Sequence, residues 1–75
     1  MTTRPVLRSL YMVAIPEGPR DGHGLWEIKT KRGDVLGGVF WYDRWRQYTF
    51  IPADVTVVLS ADCLEALAAF IKEAT

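Results

Sequence analysis

Residues 60–74 constrain the fold more than any other segment. Ser60 is a good helix N-cap, and Asp62 and Glu65 lie in the first turns, where acidic groups complement the helix dipole. Leu64, Leu67, Ala68 and Ile71 then recur at helical spacing, flanked by Cys63 and Phe70, and Lys72 sits near the carboxyl end. This predicts a helix over residues 60–74 with a single apolar stripe. The stripe must be buried, and the rest of the chain offers only strands to bury it. The predicted fold class is therefore α+β: a three- to four-stranded antiparallel meander with one C-terminal helix packed on one face.

The strands follow from alternation and turn chemistry. Residues 9–15 form an apolar run that stops at Pro16 and reads as a strand, although Leu7, Leu10, Tyr11 and Ala14 also fit a helical face. Residues 16–24 hold three Gly and two Pro and are predicted to be a loop. An antiparallel meander is predicted over residues 25–59. In its first strand Trp26, Ile28 and Thr30 share one face, with Glu27 and Lys29 on the other. Lys31-Arg32-Gly33-Asp34 supplies a hairpin turn. In the next strand Val35, Gly37, Val39 and Trp41 alternate with Leu36, Gly38, Phe40 and Tyr42. Asp43-Arg44-Trp45 turns the chain into a strand over residues 46–51, closed by Pro52, and residues 56–59 add a short extended piece.

Size and composition narrow the function. All 75 residues, 1–75, are expected to form one domain with a small core. Nine basic and nine acidic residues give zero net charge, which disfavours nucleic acid and anionic membrane surfaces as partners. The charge is uneven: residues 1–32 hold six basic and three acidic groups, a balance of +3, and residues 33–75 the reverse, −3. Arg4, Arg8, Arg20, Lys29, Lys31 and Arg32 make up the basic half. One Cys and one His are too few for a disulfide or a Cys/His zinc site within one chain. No metal and no cofactor is expected. An unpaired Cys63 and no apolar run of membrane-spanning length point to a cytoplasmic protein. Three Trp are hard to hide in so short a chain, which favours a homo-oligomer.

The chemistry concentrates in residues 40–50, where six aromatics accompany two Arg. Arg stacks on aromatic faces and grips phosphate, and such interleaving is a recurrent way to hold nucleotides. Strand alternation also sends every second ring into a core. The candidate ligand- or partner-binding residues are Trp41, Arg44, Trp45, Arg46 and Tyr48. Gly37-Gly38 marks either a bulge, a close backbone approach or room for a bulky neighbour such as Trp26. His23 reads as an exposed loop residue, Ser60 as a cap, Cys63 as a core-edge thiol, and Asp34, Asp43 and Asp54 as turn residues. Arg32-Gly33-Asp34 is turn chemistry and not an adhesion signal. No nucleophile–base–orienter set can be placed, so no catalytic residue and no enzyme is expected.

The stretch Leu36-Gly37-Gly38-Val39-Phe40-Trp41-Tyr42, then Trp45-Arg46-Gln47-Tyr48-Thr49-Phe50-Ile51-Pro52, then Cys63-Leu64 and Phe70-Ile71, resembles a family of small phage and prophage proteins. That family shares an LGxVxWY…WRxYxFxP stretch and a helix carrying CLxx[LI]xxF. The resemblance covers residues 25–73, with Gly38 departing from the polar or β-branched residue expected there. It implies an accessory protein acting inside a bacterial host cell. Such a protein is expected to bind and inhibit or sequester a host factor, as an anti-defence sponge for a nucleotide signal. In that role Trp41, Trp45 and Tyr48 would stack on the base, and Arg44 and Arg46 would hold phosphate. The alternatives are a module that inhibits a host enzyme by direct protein contact, and a nucleic-acid-binding sheet.

Overall fold

A computed structural model describes residues 5–20 and 22–75, so Arg4 of the basic half and Asp21 of the predicted loop lie outside it. Four strands are followed by one helix: β1 (Met12–Arg20), β2 (His23–Thr30), β3 (Val35–Tyr42), β4 (Gln47–Pro52) and α1 (Ala61–Ala74). The strands form one antiparallel sheet in the order β1-β2-β3-β4, the meander expected of the sequence. The helix covers one face.

The predicted loop over residues 16–24 is instead the end of β1 and the start of β2. Pairing runs from Met12↔Thr30 to Arg20↔His23. Two Gly make this possible. Gly18, at φ 98°, accompanies the bulge between Pro16 and Gly18, and Gly22, at φ 79°, lies in the reversal. Pro is tolerated because β1 is an edge strand. Tyr11 O accepts from Lys31 N–H, so Met12, Ala14 and Pro16 turn their backbone polar groups outward, and Pro16 has no N–H to offer there. At the other edge, the Tyr48 N–H donates to Thr75 Oγ1 at the end of α1.

A second bulge lies between Ile28 and Lys29, so that Lys29 pairs with Val35 and Ile28 with Gly37. Val35 is thereby moved off the face of Gly37, Val39 and Trp41, where plain alternation placed it, and is 47% exposed. Residues 53–59 form turns and coil and add no strand. The Thr56 N–H donates to Asp54 Oδ1, the local turn chemistry expected of Asp54.

The helix-facing side of the sheet supplies the core: Met12, Ile28, Val39 and Tyr48 meet Cys63, Leu67 and Phe70 of α1, all buried. The Ser60 side chain caps α1 by accepting from the Cys63 N–H. The helix is rotated from the expected stripe. Cys63, Leu67 and Phe70 form the buried line, whereas Leu64 is 54% exposed and Ala68 is exposed. The amino-terminal segment crosses to the far end of α1. There Arg8 pairs with Glu73, and the Val6 N–H donates to Glu73 Oε2 at 3.1 Å. The Arg8 side chain and this N–H hold the Glu73 carboxyl below the usual carboxylate range. The stabilisation from this anchor is present above the ordinary carboxylate pKa and is lost as pH falls through the lowered one.

The glycine pair is explained by a close backbone approach at Gly37 and by the Phe40 ring at Gly38. A Cβ built on Gly37 would fall on the Ile51 carbonyl oxygen and lie 2.9 Å from both Phe50 Cζ and Pro52 Cα. A Cβ on Gly38 would fall on the Phe40 ring, with Cζ at 2.8 Å. The bulky neighbours are thus Phe50 and Phe40, not the Trp26 ring.

Candidate functional site

The topology places the β1–β2 and β3–β4 reversals at the same end of the sheet. Four of the five candidate residues lie there, on or beside the turn over residues 43–46, and the fifth, Tyr48, is next to it on β4. The turn is tight. The Trp45 N–H donates to Tyr42 O and the Arg46 N–H to Asp43 O, both at 3.2 Å. It closes with Arg46 at φ 52°, the one non-glycine residue with positive φ among those described. The expected strand start at residue 46 is therefore a turn residue, and β4 begins at Gln47.

The six aromatics of residues 40–50 do not form one platform. Trp41 and Tyr48 point to the helix side and join a chain of rings through the core. Trp41 meets Tyr48 edge-on at 5.3 Å, Tyr48 meets Trp26 at 5.4 Å, and Trp26 meets Phe70 at 5.2 Å. Tyr48 is only 8% exposed, so its ring is a core element and is not available to stack on a ligand. Tyr42 and Trp45 form a separate edge-on pair at 5.0 Å on the turn. Trp45 is 63% exposed, and Arg44 and Arg46 beside it are exposed as well.

His23 was not legible as part of this end of the molecule. It opens β2, is half-buried, and lies flat on the Trp41 indole, with centroids 4.3 Å apart and planes 4° from parallel. The stack depends on strand pairing between residues distant in sequence, and nothing local to His23 announces it. The Trp41 indole N–H donates to Asp43 Oδ1 at 3.4 Å. His23, Trp41 and Asp43, with Phe40 and Leu25, line an open cavity of about 610 Å³. A second cavity of about 690 Å³ lies along β1 beneath Leu7 and beside Trp26 and Phe70, with Lys31 as its one charged lining residue among those described. That composition offers little to orient a polar ligand.

Among the described residues no three His, Cys, Asp or Glu side chains come together in a way that could hold a metal ion, and Cys63 is buried under α1. No helix among them is long and apolar enough to cross a membrane.

Arg46 holds a conformation that disfavours L-residues by about 1–2 kcal/mol. Arg46→Gly is therefore expected to raise stability by about 0.5–1 kcal/mol, net of the greater freedom glycine brings to the unfolded chain. Chemical denaturation checks this, and an unchanged or lowered midpoint would refute it. A charged residue kept at a strained position suggests a use for that charge.

Comparison with known proteins finds no matching family model, no matching curated protein and no matching solved structure.

Proposed function

We propose that this chain is a small non-enzymatic binding protein that docks a host protein factor, and inhibits it, through the β3–β4 tip. The observation that supports the reading is Trp45, 63% exposed on a tight turn, braced by Tyr42 and flanked by two exposed Arg. Exposed Trp and Arg on a rigid support are the residues that dominate protein interfaces. The phage-type motif supports a bacterial host as the setting.

A nucleotide-sequestering role is the second reading, favoured by the cavity beside Trp41. It is weaker, because His23 already occupies one face of the indole and Tyr48 is buried. In that version Trp41 and Trp45 remain to contact a base, and Arg44 and Arg46 a phosphate.

Affinity capture from bacterial lysate with the wild-type chain and with Trp45→Ala separates the two. The docking reading expects one stoichiometric protein on the wild-type chain. Its affinity should fall about 30-fold or more in the variant, the loss of about 2 kcal/mol typical of a hot spot. The thermal melt of Trp45→Ala should match that of the wild type. Calorimetry that instead shows micromolar binding of a cyclic or linear nucleotide, with no protein captured, would replace docking by sequestration.

A further inference from the structure

The face of the sheet away from α1 carries exposed apolar side chains. Sheets covered by a helix on one side normally present alternating polar residues on the other. Here the register places Val13, Ile15, Leu25, Val35, Phe40 and Ile51 on that face. Four of them are between 37% and 50% exposed: Val13, Ile15, Val35 and Ile51. Adjacent charges, Glu27 and Lys29, lie among them on the interior strand β2 and pair at 3.2 Å.

We infer that the chain forms a two-fold homodimer through this open face, with Glu27 of one copy opposite Lys29 of the other. Two observations converge on a second copy as the occupant. The first is charge complementarity. A two-fold axis lying in the interface and crossing β2 between residues 27 and 29 exchanges the two positions, so the face is its own electrostatic complement. A foreign partner would need a matching dipole in the same register. The second is area. Strands of six to nine residues in a four-stranded sheet span a face of about 500 Å² per copy, at ~3.3 Å per residue and ~4.8 Å between strands. Two such faces bury about 1,000 Å², the threshold for a specific interface. Sheet-on-sheet packing in near alignment supplies the missing layer.

Charge reversal provides the test, read as particle mass by light scattering after gel filtration at about 100 μM. The wild type is expected at twice the 8.5 kDa chain mass. Glu27→Lys and Lys29→Glu should each raise the dimer dissociation constant at least tenfold, since each leaves four like charges at the axis. An equimolar mixture of the two variants should recover the dimer mass, and so should the double variant E27K/K29E. Circular dichroism confirms that each variant is folded, and Val13→Lys gives an independent disruption at a site 37% exposed. A monomeric wild type, or a dimer untouched by the single reversals, would overturn the inference. So would single variants that fail to pair when mixed, and the face would then be open to a different protein.

Discussion

Gly37→Ala is expected to lower stability by more than about 3 kcal/mol, a large part of the ~4–11 kcal/mol a chain of this length can hold. The added methyl would meet main-chain atoms of β4, the Ile51 carbonyl oxygen and Pro52 Cα, besides the Phe50 ring, and the main-chain atoms cannot swing aside. Relief requires β3 and β4 to separate where Gly37 pairs with Pro52. Gly38→Ala is the informative control. Its first obstacle is the Phe40 ring, which can swing, so the cost should be about 1–2 kcal/mol. Urea titration of both variants measures the pair. A Gly37→Ala protein with the wild-type midpoint would mean that β4 is not held against β3 as described.

Phe70→Ala should cost about 3–5 kcal/mol, the range for deleting a buried aromatic. Phe70 is 1% exposed and meets the Trp26 ring edge-on at 85°. Removing it leaves the helix with Cys63 and Leu67 as its buried contacts and opens the core toward the cavity along β1. The Trp fluorescence should shift to the red, and the near-ultraviolet dichroism should collapse before the helical signal does. Leu64→Ala, at a site 54% exposed, should change stability by less than about 0.5 kcal/mol. A helix packed on the Leu64–Ala68 line would reverse these two results, so the pair of variants fixes the rotation of α1 directly.

That rotation illustrates what the amino acids disclose and what they do not. Periodicity identified α1 and its Ser60 cap, because those depend on residues within one or two turns. It could not choose between the overlapping stripes Leu64–Leu67–Ala68–Ile71 and Cys63–Leu67–Phe70, since the choice is made by the strands opposite. The same holds for β1. Pro16 and Pro19 argue locally against a strand, yet an edge position removes the objection, and only the assembled sheet says which strand is at the edge. The Asp21-Gly22 dipeptide is itself a hairpin signal, on which the loop expectation did not draw. The bulge at Ile28/Lys29 likewise reassigns Val35 without any mark in its own neighbourhood. In the candidate site, Trp45 and the two Arg were legible because turns are local. The burial of Tyr48 and the stacking of His23 on Trp41 were not, because both arise from pairing across the sheet.

The two sheet edges bear on a separate property, resistance to fibrous assembly. An edge strand with free N–H groups can template another strand, and a chain so rich in β-branched and aromatic strand residues would be at risk. β1 offers Pro16 and a bulge at that margin, and β4 has its Tyr48 N–H turned to Thr75. Growth by pairing strands edge to edge is thereby discouraged at both margins. Face-to-face association remains, and it saturates at a fixed number of copies. The two-fold association proposed above would therefore let a sticky sheet form finite particles.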